Sequence, residues 1–324
     1  MMTADHGRST PEDAGGTPIH VTEVGPRDGL QIEKAILPTE TKIAIVNGLI
    51  DAGLRRLEVT SFVSPRAVPQ LADAAEVIAG IDRSKGAYLT ALVPNVKGAE
   101  RAAQTDVDAI VLVCSASETH NRKNVNRSIE ESLTGFADVV RIAQGAGIDV
   151  IGAIATSFGC PFEGEVPPEA VVRIARAYAD LGVREVGLGD TTGMATPPTV
   201  RRAVRALRRD VPGMEIGLHF HNTRGVGLAN VLVGIDEGVT HFDSAMGGLG
   251  GCPFAAGATG NICTEDLVYL LEESGYSTGI DLEKLIGVAH EVEAAIGRSL
   301  PGQVMKAGPR LKLHSTEAVA TAAG

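Results

Sequence analysis

Short apolar runs alternate along this chain with stretches whose apolar positions recur every three or four residues. The first pattern predicts strands and the second amphipathic helices. Strands are predicted at 19–24, 56–60, 88–93, 109–114, 149–155, 185–188, 215–220 and 241–245. Helices are predicted at 39–52, 70–79, 97–103, 128–144, 169–179, 200–208, 227–237 and 261–273, with one more at 282–296. Thr39 followed by Glu40 reads as a helix start, and Gly53 as its stop. Eight strand–helix units in a row predict an α/β fold, a (β/α)8 TIM barrel with a short C-terminal helical extension. An open doubly wound sheet would carry a Gly-rich phosphate fingerprint after its first strand, and Gly25-Pro26-Arg27-Asp28-Gly29 is not one. Nothing divides 19–296, so one domain is expected there, between a disordered tail at 1–18 and a C-terminal tail at 297–324.

The bulk numbers narrow the function. Of 324 residues, 44% are hydrophobic but only 3% aromatic, so the core is expected to be aliphatic. A net charge of −11 argues against nucleic acid as a partner, because phosphate binding needs a basic surface. Cys114, Cys160, Cys252 and Cys263 form no C-x-x-C pair and read as reduced thiols, which points to the cytoplasm. No apolar run reaches membrane-spanning length, so no membrane partner is expected. Residues 1–18 are acidic and lack an apolar signal core.

Barrels of this kind carry their chemistry at the C-terminal ends of the strands, and polar residues collect there. His219 and His221 share one face of the seventh strand, since side chains alternate, and two converging imidazoles make half of a divalent-metal site. Asp28, after the first strand, and Asn261, near the eighth, are oxygen donors that would complete a mixed O/N set. Few thiolates and several oxygens favour Mg²⁺ or Mn²⁺. Asn261 reads equally as the cap of the helix predicted from 261. Glu58 and Thr60 fall on the face opposite Leu57 and Val59, so Glu58 points into the barrel. A buried carboxylate needs a cation, and Arg27 is the natural partner. Glu58 then either takes part in the chemistry or only orients Arg27. Asp190 follows the sixth strand.

Gly247-Gly248-Leu249-Gly250-Gly251-Cys252-Pro253 reads as a mobile lid with a thiol, Cys252, that meets substrate. His120, Asn121, Arg122, Lys123 and Asn124 form a polar, basic loop that either contacts a phosphate-bearing carrier or is merely solvated. Cys114 and Cys263 read as packing, and Cys160 has no assigned role.

These residues sit in strings that resemble the 3-hydroxy-3-methylglutaryl-CoA lyase family of metal-dependent barrel lyases. The strings are V-T-E-V-G-P-R-D-G-L-Q at 21–31, E-V-T-S-F-V-S-P at 58–65, G-C-P-F-E-G at 159–164 and G-L-G-D-T-T-G at 187–193. H-F-H-N-T at 219–223, G-G-L-G-G-C-P-F-A at 247–255 and G-A-T-G-N at 257–261 belong to the set, with S-I-E-E-S at 128–132 and T-E-D-L-V-Y at 264–269. The resemblance implies Mg²⁺ or Mn²⁺ on Asp28, His219, His221 and Asn261. It implies a catalytic set of Arg27, Glu58, Asp190, His219 and Cys252, an acyl-CoA thioester bound by Arg27, Asn124 and Cys252, and a homodimer. The implied reaction is retro-Claisen cleavage of 3-hydroxy-3-methylglutaryl-CoA to acetyl-CoA and acetoacetate. Arg27 would hold the enolate oxygen, Asp190 or His219 would take the hydroxyl proton, and Cys252 or His219 would protonate the carbon. Asn222, Arg224 and Thr156-Ser157-Phe158 depart from the family pattern. They are expected near the substrate, where they leave a citramalyl or isohexenylglutaryl thioester open. A Claisen-type synthase is the other reading.

Overall fold

The strands predicted from the apolar runs close on themselves. The computed structural model describes residues 16–251 and 259–313. Strands β2 (His20–Glu23), β3 (Arg56–Ser61), β4 (Tyr88–Leu92), β5 (Ala109–Ser115), β6 (Asp149–Ala155), β7 (Glu185–Asp190), β8 (Glu215–Phe220) and β9 (His241–Ser244) form one closed parallel barrel in chain order. The seam is β2 against β9, with His20 opposite His241 and Glu23 opposite Ser244. Helices α1 (Thr39–Asp51), α2 (Ala74–Gly80), α3 (Val96–Ala102), α5 (Ile129–Gly145), α6 (Pro168–Asp180), α7 (Pro197–Asp210), α8 (Gly227–Asp236) and α9 (Thr264–Glu273) follow the strands in turn.

Alternation along the strands sorts the side chains. Leu57, Leu89, Ile110, Leu112, Ile154, Leu188, Leu218 and Phe220 are wholly or almost wholly buried in the apolar core. Tyr178 of α6 lies in that core too, its hydroxyl donating to the Leu112 carbonyl at 2.6 Å. A Cβ on Gly152 would lie 2.8 Å from the Tyr178 ring, so this strand position needs glycine.

Four local expectations fail, each for a physical reason. The polar stretch after β5 is a helix, α4 (Glu118–Val125). Ser117 caps it by accepting from the His120 amide, and Asn126 ends it in the left-handed conformation. Thr39 is the first residue inside α1 instead of its cap, and its hydroxyl donates to Asp73 at 2.7 Å. The helix expected from 261 begins at Thr264, so Asn261 is no cap; its backbone bridges to His221. Finally, the register of β3 on β4 shifts between Glu58 and Thr60. Thr60 therefore does not share the cavity that Glu58 lines.

Packing continues beyond the barrel at both ends. β1 (Thr17–Pro18) pairs with β10 (Tyr276–Ser277). After α10 (Leu282–Ile296), Leu300 and Met305 are buried, the latter on the short α11 (Val304–Ala307), and Arg298 pairs with Glu33. Among the described residues, no helix is long and apolar enough to cross a membrane.

Candidate active site and metal centre

A cavity of about 580 Å³ runs into the barrel from the C-terminal ends of its strands, and Arg27, Asp28, Glu58, His219 and His221 all line it. The chain leaves β2 through a single wide helical turn, Gly25–Gly29. Glu23 shapes that turn by accepting from the Gly25 amide at 2.7 Å. The turn aims Arg27 inward, where one nitrogen donates to Asp28 Oδ1 and another to Glu58 Oε2, both at 2.6 Å. Burial opposes the charge on Arg27, but Glu58 and Asp28 outweigh it and push its pKa further up. Burial raises the Glu58 pKa against the pull of Arg27. On Asp28 the balance reverses. Burial pushes up, while Arg27, His219, His221 and the Asn261 amide pull it down to about 2.

The carboxylate of Asp28 and the rings of His219 and His221 offer ligand atoms that all lie within 4.8 Å of one another. The two Nε2 atoms are 3.2 Å apart, and His221 Nε2 lies 3.9 Å from Asp28 Oδ2. Burial, then His219, push the His221 pKa down to about 4, the neutral form that ligates metal. Asn261 completes the cluster, its Nδ2 donating to Asp28 Oδ2 at 2.8 Å. Its buried Oδ1 has no hydrogen-bond partner. Amide orientation follows the surrounding network, so a cation at this point would draw that orphaned oxygen inward. Three close ligands and an unpartnered amide oxygen fit a divalent cation.

The glycine loop reaches this cluster. Gly250 is left-handed at φ 103°, and a Cβ there would lie 2.6 Å from Asn261 Nδ2 and 3.4 Å from Asp28 Oδ2. Glycine is what lets the backbone pass so close. Cys252, two residues on, lies outside the described residues. Asn124 lines the outer part of the cavity from α4. Cys114 and Cys263 are buried, as expected of packing residues, and Cys160 is buried against Ser117.

Asp190 is buried beside the cavity, within electrostatic reach of His219. Glu185, Gly187, Gly189 and Thr191 line the cavity, while Asp190 falls on the other side of the alternation. Its Oδ1 accepts from the Met194 and Ala195 amides at 2.6 and 2.9 Å. Burial pushes its pKa up to about 6 against those donors. Asn222 and Arg224 also lie off the cavity lining. Asn222 accepts from the Gly227 amide, and Arg224 donates to the carbonyls of Thr192 and Gly193. Thr156 is buried at φ 55°, a strained value for a β-branched residue. Its amide donates to the Thr191 hydroxyl at 2.9 Å. Thr156 and Arg224 thus brace the turn that carries the cavity-lining Thr191.

Three contributors went unread in the sequence. Asp243 Oδ2 lies 3.2 Å from His219 Nδ1. Gln31 donates to Asp28 Oδ1 at 3.1 Å. Glu23, fully buried, also accepts from the Met246 amide and the Thr264 hydroxyl, tying β2 to the base of the glycine loop. Asp243 was detectable, because strand register sets it beside His219.

The HMGL-like family model matches residues 18–292. Hydroxymethylglutaryl-CoA lyase YngG of Bacillus subtilis is 46% identical over 285 residues, 88% of this chain and 95% of that protein. The human mitochondrial hydroxymethylglutaryl-CoA lyase is 42% identical over 293 residues, 90% of each chain. Among solved structures, an HMG-CoA lyase from Acinetobacter baumannii in complex with coenzyme A and 3-methylmalate superposes with a TM-score of 0.88. It is 46% identical, covering 92% of this chain and 97% of that one.

Proposed function

This chain belongs to the HMGL-like family, and from that premise we propose that it is a divalent-metal-dependent carbon–carbon lyase cleaving 3-hydroxy-3-methylglutaryl-CoA to acetyl-CoA and acetoacetate. The observation that carries the reading is the meeting of Asp28, His219 and His221 beside the Arg27–Glu58 pair at one end of the barrel. The domain at 19–296 houses the site. The oxygen-rich donor set favours Mg²⁺ or Mn²⁺ over a thiolate-bound ion. A divalent cation held by Asp28, His219, His221 and Asn261 supplies Lewis acidity that makes a tertiary hydroxyl easier to deprotonate.

The chain's own residues do the rest. Cleavage leaves negative charge on a thioester oxygen, and Arg27 presents a fixed cation to it. Glu58 and Asp28 fix the guanidinium from two sides, so little reorganisation accompanies the charge. Asp243 orients the His219 ring so that its Nε2 faces the ligand cluster, and Asp190, its carboxyl buried within electrostatic reach of His219, takes the hydroxyl proton. The Met194 and Ala195 amides hold the Asp190 carboxyl in place. Asn124 and Cys252 complete the substrate contacts, Cys252 as the proton donor under a closed glycine lid that excludes water. We further assign the cytoplasm, a reading that fits the free thiols of Cys114, Cys160 and Cys263, and a homodimer, as the family resemblance implies.

Purified protein incubated with Mg²⁺ or Mn²⁺ and a set of 3-hydroxyacyl-CoA thioesters tests this through acetyl-CoA release. Release from 3-hydroxy-3-methylglutaryl-CoA is expected. No release from it, with turnover of another thioester, removes the substrate assignment.

A further inference from the structure

Barrels of this class are usually filled by layers of bulky branched side chains. Here one layer is missing on adjacent strands. Register aligns Val113, Ala153, Gly187, Gly217 and His241 across β5 to β9, and all five line the cavity. Three neighbours in that row therefore bring only one methyl group between them. A Cβ built on Gly187 meets nothing within 4 Å, and one on Gly217 meets its nearest atom at 3.8 Å. Gly152 and Gly234 are different. A Cβ there would strike Tyr178 at 2.8 Å and Leu218 at 2.5 Å, so packing requires those glycines. Packing does not require Gly187 or Gly217; they leave space.

That space lies directly beneath the metal cluster. Gly217 is two residues before His219 on β8, one layer or about 6–7 Å along the strand. Val111, Val113 and Ile151 give it an apolar wall. The charges at its floor are already matched, because Arg56 donates to both Glu185 oxygens at 2.6 and 2.7 Å. A carboxylate entering here would find Arg27 and Arg56 already paired, whereas an alkyl group would be sheltered from water.

We propose that this void is the subsite for the alkyl branch on C3 of the substrate, and that Gly187 sets the largest branch accepted. The proposal rests on the lyase reading, which puts the C3 hydroxyl at the Asp28–His219–His221 cluster and hence the C3 substituents within a bond or two of it. A methyl group does not fill one layer of the barrel, so an ethyl branch is accommodated as well.

The test is kcat/KM on 3-hydroxyglutaryl-CoA and its 3-methyl, 3-ethyl and 3-propyl homologues. The unaltered protein is expected to cleave the ethyl compound within about tenfold of the methyl one, since a methylene is worth roughly tenfold or more only where a pocket rejects it. Gly187→Val is expected to lower the ethyl-to-methyl ratio at least about tenfold and to spare the unbranched compound most. Gly187→Ala and Gly217→Ala, whose added methyl groups have room, carry the same comparison if the valine variant does not fold. Binding of Mn²⁺ to each variant, followed by calorimetry, is expected to match the unaltered protein. Rejection of the ethyl compound by more than about 100-fold, or an equal loss on all four substrates in Gly187→Val, overturns the proposal. Failure to cleave any of the four removes the lyase reading instead.

Discussion

His219 and Asp243 face each other across the paired strands β8 and β9, imidazole Nδ1 to carboxylate Oδ2 at 3.2 Å. This contact fixes the ring so that Nε2 points at Asp28 and His221. Such carboxylate–histidine pairs hold a ligand's tautomer and orientation, and losing one typically weakens metal binding about 10–100-fold. Asp243→Asn is therefore expected to weaken Mn²⁺ binding by about that factor, read by calorimetry. Unchanged Mn²⁺ affinity in the asparagine variant would mean that the contact does not orient the ligand.

Arg27→Gln should separate binding from chemistry. The metal ligands stay in place, so Mn²⁺ affinity is retained within a few-fold, whereas kcat falls about 10²–10³-fold or more through loss of the fixed cation. Arg27→Lys should recover little, since a single ammonium cannot reproduce the guanidinium fork that spans Asp28 and Glu58. Near-normal turnover in the glutamine variant would remove the enolate-holding role.

Glu23 makes a prediction about pH. Burial is the largest influence on it and pushes its pKa from 4.5 up to about 8, against the pull of the Thr264 hydroxyl and the Met246 and Gly25 amides. Between those values the folded chain holds a proton that the unfolded chain has lost. The resulting stabilisation is complete below pH 4.5 and disappears as pH rises through about 8. Urea midpoints measured at pH 5 and pH 8.5 should thus drop more for the unaltered protein than for Glu23→Gln, which keeps the shape but cannot ionise. Parallel behaviour of the two proteins would show that Glu23 does not carry this dependence.

Removal of the ion gives a fourth expectation. Dialysis against a chelator should abolish acetyl-CoA release, and Mg²⁺ or Mn²⁺ should restore it. The same additions should raise Tm, because a ligand that binds only the folded chain stabilises it in proportion to the logarithm of its concentration. Full activity after chelation would defeat the metal assignment.

The barrel was readable because eight apolar runs with helical spacing between them leave little choice of architecture. The Asp28, His219 and His221 cluster was readable because strand alternation and strand ends locate side chains without coordinates. Asp190 is less directly placed by that rule: Glu185, Gly187 and Gly189 line the cavity, while Asp190, of opposite parity, is buried within electrostatic reach of His219. The stretch at 118–125 looked like a loop because it is polar throughout, and only its caps, Ser117 and Asn126, show that it is helical. The register shift after Glu58 leaves no mark on the sequence at all. Asn261 was correctly placed beside the histidines, although the helix expected to hold it starts three residues later.

The hydrogen bond between Asn261 and Asp28 joins residues 233 positions apart. One follows the first barrel strand, and the other follows the last beyond the glycine loop, on the two sides of the β2–β9 seam. A cation at this point is thus a staple across the line where the cylinder shuts. A chain emerging from the ribosome cannot complete the centre until Asn261 has been synthesised, so a product truncated before that residue lacks one of its four groups. Conversely, once the ion is seated, separating the first strand from the last also means pulling apart its ligands. An ion held there for the chemistry would in this way also lock the completed ring.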